Sequence, residues 1–473
     1  MSKPLCVDCD GTLIATDLLY EAFFLMLKQY PLGLLLLPFW LLKGKVYVKE
    51  RLAERVTFNW ETLPYRPEVL GLIQKAREQG RQVVLVTASP MLWANGIAQH
   101  LGCFDQVLAT EKGVNLSGKN KADHLVKLFG ERNFDYAGDT HVDLHVWAHA
   151  ANAIVVSSSN SLAQSAAKKA PDVQSFKTPR AKFMVYVRAL RVHQWLKNLL
   201  IVVPLLAAHQ LNVFDGIIQV LYAFLAFSLC ASSVYVLNDL LDLESDRQHI
   251  RKRKRPFAAG AIPLWQGMLM VPILLGVAFA VSLLLPNRFI LVLAAYFVMT
   301  LAYSIRLKRQ VIVDVMMLAG LYTMRIIAGA AATTITPSFW LLAFSMFIFL
   351  SLALVKRYSE LLITLQSNKQ EAAGRGYSVN DLPVLMSLGV SSGLGSVLIL
   401  ALYLNNPETN LMYPNTMWLW LMPPLLLYWV SRMWMKAHRG QVDDDPVVFA
   451  AKDWQSLLVL LISACIFIAA LKF

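Results

Sequence analysis

From residue 198 onward, apolar segments of membrane-spanning length recur, and no other property of the chain restricts its fold as much. Nine are marked by length and hydropathy, at roughly 198–214, 216–237, 262–285, 288–305, 311–333, 338–355, 383–403, 415–435 and 455–472. They imply an all-α transmembrane bundle of nine helices, because only a helix or a closed barrel satisfies its own backbone in hydrocarbon. With 56% hydrophobic and only 16% charged residues, the whole chain is too apolar for a soluble enzyme. That character is uneven. Residues 1–156 read as a soluble α/β module, 157–178 as a polar, small-residue linker, and 179–473 as the membrane module. No basic region leads into an apolar core at the amino end, so the first membrane helix is expected to serve as the address.

The net charge of +13 does not argue for nucleic acid, because much of the excess sits in short loops between the apolar runs. The loop 238–261 carries six Lys and Arg, 306–310 three, 356–382 four (Lys356, Arg357, Lys369, Arg375) and 436–454 three (Lys436, Arg439, Lys452). The alternate connections hold only Arg288. Positive-inside bias then places the amino end and every charge-rich loop of this multi-pass chain in the cytoplasm. Five cysteines without metal spacing give no disulfide framework and fit a reducing compartment.

One loop carries chemistry. In NDLLDLESDRQHIRKRKRP (238–256), continuation of the preceding helix would put Asp239, Asp242 and Asp246 on one face, at i, i+3 and i+7. Three like charges there repel. A Mg²⁺ ion shared with substrate phosphates would relieve them, and Arg251 to Arg255 would add positive charge for a polyphosphate. A solvated loop is the blander reading. The pattern N-D-x-x-D-x-x-x-D followed by R-P, with Asn238, Asp239, Asp242, Asp246, Arg255 and Pro256 at its positions, resembles the first signature of the UbiA superfamily of intramembrane prenyltransferases.

Asp314 and Arg325 lie within an apolar span, where ionisable residues are functional by default. This is the place of the second UbiA signature, often DxxxD, but Leu318 stands where the second aspartate would be. YSIRLKRQ, Y-x-x-R-x-x-A-G, LALVKRYSEL and HRGQVDDDPVVFA together resemble the decaprenyl-phosphate phosphoribosyltransferase branch. That resemblance implies transfer of 5-phosphoribose from phosphoribosyl diphosphate to a polyprenyl phosphate. Asp239 and Asp242 would be catalytic and, with Asp246, hold Mg²⁺. Asn238, Arg255, Lys308, Asp314, Arg325, Lys356 and Arg357 would bind substrate. The acidic run Asp443 to Asp445 is open between a site and a solvated loop. A prenyl transfer to an aromatic acceptor, and a membrane transporter or lipid-binding scaffold, are the alternative readings.

In the soluble half, three β-rich runs end in polar groups: Asp8-Cys9-Asp10-Gly-Thr, Thr87-Ala-Ser89, and Gly138-Asp139 with Asp143. Strands alternating with helices suggest a parallel, Rossmann-like sheet with its ligands at the strand ends. With Lys121 at a helix start, these resemble in order the four motifs of haloacid dehalogenase-like (HAD) phosphohydrolases. Asp8 would then attack phosphorus, and Asp10 would protonate the leaving oxygen. Thr87 and Lys121 would bind the phosphoryl oxygens. Asp8, Asp10, Asp139 and Asp143 would form the Mg²⁺ site. An inserted helical cap includes the apolar stretch 30–42, too short to span and holding Pro31 and Pro38. It is open between the packed core of the cap and a membrane-docking surface flanked by Trp40, Lys43, Lys45 and Lys49.

Overall fold

The computed structural model describes residues 3–111, 115–178, 181–209, 214–366, 375–406, 413–442 and 445–472. Two compact units emerge, interleaved in sequence: residues 1–190 with 235–272, and residues 191–234 with 273–473.

The first unit is built on six parallel strands: β1 (Leu5–Val7), β2 (Val83–Pro90), β3 (Gln106–Thr110), β4 (Asp135–Gly138), β5 (Asn152–Val156) and β6 (Asp172–Phe176). Their order is β3-β2-β1-β4-β5-β6, with Val7 in register with Leu85 on one side and Ala137 on the other. β1 and β4 are buried throughout, as strands covered on both faces must be. Because β1 lies between β2 and β4, the loops leaving these three strands converge at one carboxyl edge, where such sheets bind ligands.

The stretch 157–178, expected to be a linker, is instead part of this sheet. Asn160–Ala167 is helical, and β6 pairs with β5 from Asn152↔Asp172 to Val156↔Phe176. β6 is an edge strand with Asp172, Gln174 and Ser175 exposed, so it lacks the apolar run that marks an inner strand.

Between β1 and β2 the chain forms the cap. Asp17 caps the helix Leu18–Gln29 by accepting from Leu19 N at 2.8 Å. Pro31–Leu36 is a 3₁₀ turn, Leu37–Leu42 a short helix with Pro38 in its first turn, and Lys45–Ala53 a third helix. Trp40 and Lys49 face the inside of the unit. Trp40 packs inward under the Arg55 guanidinium, 4.8 Å from its ring, and Lys49 is buried. The other residues of 30–42 divide between core and exposed surface.

The loop 238–261 also folds with this unit. Helix Phe214–Leu241 stops at Asp242 (φ −107°, ψ 18°), and a second helix runs Leu243–Gln248. The single helical face expected for the three aspartates is therefore broken. Gly260 (φ +67°) passes so close to the cap that a Cβ would meet Ala15 O at 2.4 Å.

The second unit is helical. Across the described residues, seven helices are long and apolar enough to cross a membrane: Phe214–Leu241, Leu264–Ser282, Asn287–Ile305, Val313–Thr333, Phe339–Gln366, Val379–Leu404 and Trp454–Leu471. The other two expected spans are shorter or mixed. The first is the 3₁₀ stretch Val192–Val202 followed by Val203–Ala207, and the second is Trp418–Leu421 followed by Met422–His438, whose last turn is basic. Small residues allow close helix approach: a Cβ on Gly329 would meet Ile201 O at 2.0 Å, and one on Gly389 the Trp434 ring at 2.0 Å.

Candidate functional site

In the sheet unit, the loop after β1 presents Asp8 and the loop after β4 presents Asp139 and Asp143. Their carboxylate oxygens all lie within 4.8 Å of one another. Lys121 crosses to this group from the helix Lys119–Phe129, donating to Asp8 Oδ1 at 2.9 Å and to Tyr136 OH at 2.8 Å. Tyr136 OH donates in turn to Asp143 Oδ1 at 2.9 Å, while Asp143 Oδ2 accepts from the Thr140 amide and hydroxyl, each at 2.9 Å. Thr12 Oγ1 donates to Asp139 Oδ1 at 3.1 Å. Gly11 (φ +76°) permits this closeness, since a Cβ there would fall 2.1 Å from Asp139 Oδ2.

The electrostatics follow from crowding. Burial pushes Asp8 up to about 7 against the pull of Lys121, and burial with Asp143 beside it holds Asp139 well above the usual carboxylate range. Three carboxylates gathered at hard-cation spacing, with one lysine to offset them, fit a divalent ion with oxygen ligands. Asp10 does not join that cluster. Its carboxylate accepts from Leu18 N at 2.8 Å and Ser89 Oγ at 2.7 Å, and burial raises it to about 6. Expected as a metal ligand as well, it stands apart as a carboxyl that changes charge just below neutrality, which suits proton transfer. Thr87 is buried, and its hydroxyl accepts from Ser89 N at 3.0 Å.

Two cations here were not singled out by sequence for this site. Lys49 of the cap donates to Ala88 O at 2.8 Å, its charge disfavoured by burial and favoured by Asp10. Arg66 donates from Nε to Gly11 O at 3.0 Å. Neither belongs to a recognisable motif; only the fold of the cap shows where they point.

The first aspartate motif, in the same unit, is already charge-compensated. Arg255 Nη1 reaches Asp239 Oδ1 at 3.2 Å and Asp246 Oδ2 at 2.7 Å, so these two carboxylates present oxygens to a single cation position. Asp242 turns away to Lys28 Nζ at 3.0 Å. Asn238 Oδ1 is buried with no hydrogen-bond partner, an acceptor left for a ligand. Arg247 makes a two-pronged pair with Glu21 of the cap, at 2.5 and 3.2 Å, and Thr16 Oγ1 donates to the same carboxylate at 2.7 Å.

In the helical unit, Asp314 is fully buried and ion-paired to Arg357 Nη2 at 2.5 Å, with Arg375 Nη1 at 3.6 Å and the Tyr377 hydroxyl donating to it. Arg357 also binds Glu360. Arg357, expected to bind substrate, has no exposed side-chain surface and is held between Asp314 and Glu360. Arg325 lies among the rings of Phe227, Tyr296 and Tyr322, at 5.3–5.4 Å. It donates to Asn198 Oδ1 at 2.9 Å, and Asn198 donates to Ser228 Oγ at 2.8 Å. Arg325 is thus buried among helices. Lys308 and Lys356 are half-buried. Asp445 caps the helix Pro446–Lys452 and pairs with Lys197, while Asp443, Asp444 and Lys369 lie outside the described residues.

Residues 198–470 match the UbiA prenyltransferase family. The chain belongs to that family. Residues 5–148 match the haloacid dehalogenase-like hydrolases, so a UbiA domain follows a HAD-like one. A Sinorhizobium fredii protein, y4nM, is 37% identical over 99% of this chain and 91% of its own length. A decaprenyl-phosphate phosphoribosyltransferase of Mycobacterium tuberculosis is 40% identical over 37% of this chain, which spans 59% of that relative. A solved UbiA homolog from Archaeoglobus fulgidus, bound to DMAPP and Mg²⁺, aligns with a TM-score of 0.47 at 16% identity, covering 59% of this chain and 98% of its own. With seven apolar helices and the UbiA match, the chain is an integral membrane protein.

Proposed function

We propose that the UbiA domain transfers 5-phosphoribose from phosphoribosyl diphosphate to a polyprenyl phosphate, and that the HAD domain then removes the 5-phosphate. The observation that carries the first step is the second polar cluster. Where a prenyl-diphosphate site would offer two free aspartates, the second motif has one, Asp314, paired with Arg357 and Arg375, which share Glu360 as well. Such a charge-balanced cluster suits a donor whose polar sugar needs a fixed hydrogen-bonding surface more than a second metal. The identity to the mycobacterial phosphoribosyltransferase supports the same donor.

In this reading a phosphate oxygen of the lipid attacks the ribose C1, and the bond from C1 to the diphosphate breaks. Asp239 and Asp246, with Asp242 released from Lys28, would hold Mg²⁺ on the leaving diphosphate, and Asn238 Oδ1 would orient it. When bound, the metal offsets the charge that develops on the departing group. In the HAD domain, Asp8 attacks the 5-phosphorus to form an aspartyl-phosphate, and Asp10 gives its proton to the leaving ribose oxygen. Asp10 then takes a proton from the water that attacks Asp8's phosphoryl group. Lys121 and Thr87 hold the phosphoryl oxygens, and Asp8, Asp139 and Asp143 would ligate the phosphatase's Mg²⁺. The loop charges support a cytoplasmic face for both sites in an inner membrane.

The test is the purified chain with Mg²⁺, phosphoribosyl diphosphate and a polyprenyl phosphate, with lipid products identified by mass. Wild type is expected to give a ribosyl phospholipid and free phosphate, and Asp8→Asn to accumulate the phosphoribosyl lipid. Absence of any ribosylated lipid sinks the transfer; phosphate release by Asp8→Asn at the wild-type rate sinks the second step.

A further inference from the structure

Residues 31–42 of the cap are apolar on the side that faces inward and equally apolar on the side that does not. Leu37 and Trp40 pack into the cap core, and a Cβ on Gly33 would meet Met26. The opposite side exposes Leu32 (78%), Leu35 (70%), Phe39 (65%) and Leu42 (87%), with Leu36 beside them. Positions 32, 35, 36, 39 and 42 recur at three- to four-residue spacing, so they form one stripe along the 3₁₀ turn and the short helix. A contiguous stripe of this kind marks an interaction surface rather than ordinary scatter of apolar side chains.

Two observations say what covers it. The first is charge: from Lys28 to Lys49 the chain has no acidic residue, and Lys28, Lys43 and Lys45 stand exposed at the ends of the stripe. Apolar side chains bordered by lysines suit the boundary between acyl chains and anionic headgroups. The second is position. Lys28 Nζ is bonded at 3.0 Å to Asp242, the residue that follows the membrane span Phe214–Leu241. The stripe begins only a few residues beyond Lys28, so it lies beside the place where that span leaves the bilayer.

We infer that residues 31–42 insert into the surface of the membrane, with Leu32, Leu35, Leu36, Phe39 and Leu42 among the acyl chains and Lys43 and Lys45 at the headgroups. The cap is thereby a second, peripheral membrane contact of a chain already anchored by spans. This does not depend on the identity of either substrate.

The full-length protein, reconstituted in phosphatidylcholine–phosphatidylglycerol nanodiscs with a carbene-generating phospholipid, tests it by peptide mapping after photolysis. Labelling of 31–42 is expected to approach that of the span Leu264–Ser282 and to exceed that of the soluble helix Pro67–Glu78 about tenfold. A Leu32→Glu/Leu35→Glu/Phe39→Glu variant is expected to lose that label while the spans keep theirs. Wild-type labelling no higher than on Pro67–Glu78 overturns the inference whether or not the variant folds. So does cross-linking of 31–42 to a second copy of itself in place of lipid.

Discussion

Asp10→Asn separates two effects that share one carboxyl. In the fold Asp10 has a pKa of about 6 against an ordinary 3.8, because burial disfavours its charge more than Leu18 N, Lys49 and Ser89 favour it. Holding it ionised at neutral pH therefore costs the native state about 3 kcal/mol. The sign runs against the usual salt-bridged aspartate. The penalty is absent below pH ~4, grows between about 4 and 6, and is full above about 6. Asparagine keeps the geometry: Oδ1 still accepts from Leu18 N, and Nδ2 donates to a Ser89 hydroxyl turned to accept. Asp10→Asn should raise the melting temperature of the N-terminal module by roughly 6–12 °C at pH ~7.5. Near pH 4.5 the stabilisation should shrink to about 1 kcal/mol. Phosphate release should nevertheless fall by about 10²–10⁴-fold, through loss of the proton donor. Calorimetry of the purified chain in chelator, at both pH values, reads the first effect. A variant that melts at or below wild type at neutral pH, or whose gain is the same at both pH values, refutes the electrostatic account.

Gly11→Ala places a methyl 2.1 Å from Asp139 Oδ2 at a left-handed backbone position, so it should abolish phosphate release while leaving lipid ribosylation intact; separate assays of the two products check this. Asp314→Ala removes one of the two carboxylate partners of a fully buried guanidinium and should cost about 3 kcal/mol, seen as lost monodisperse protein in detergent. The double variant Asp314→Ala/Arg357→Met should regain folded yield without regaining the ribosylated lipid. Recovery of both would show the pair to be structural scaffolding only.

The carboxylate cluster of the HAD-like domain was legible because its residues sit at strand ends, where periodicity and turn chemistry announce them: Asp8, Asp10, Thr87, Asp139 and Asp143 all fall at that carboxyl edge. Lys49 was not. In sequence it is one of several lysines after an apolar run, and only the packing of the cap turns it toward Ala88 while Lys43 and Lys45 stay exposed. β6 was hidden for the opposite reason, since an edge strand needs no apolar alternation and so looks like a linker. The burial of Arg357 was hidden because a loop-proximal Lys-Arg pair looks like topology or substrate contact. Its burial against Asp314 comes from another helix and leaves no trace in local spacing. Asp239, Asp242 and Asp246 were read as metal ligands; in the fold Arg255 meets Asp239 and Asp246. The break at Asp242, and the cation that meets them, required the fold.

The pairing of Glu21 with Arg247, 226 residues later in the chain, sets an order on biosynthesis. At about 5–20 residues per second, Glu21 waits roughly 10–45 s for Arg247 to be made. The loop of Arg247 arrives only behind the span Phe214–Leu241. Until then Glu21 has Thr16 as its partner but no guanidinium, and Ala15 lacks the turn that packs against it. The HAD-like unit is thus begun first and finished after the span Phe214–Leu241 has been made.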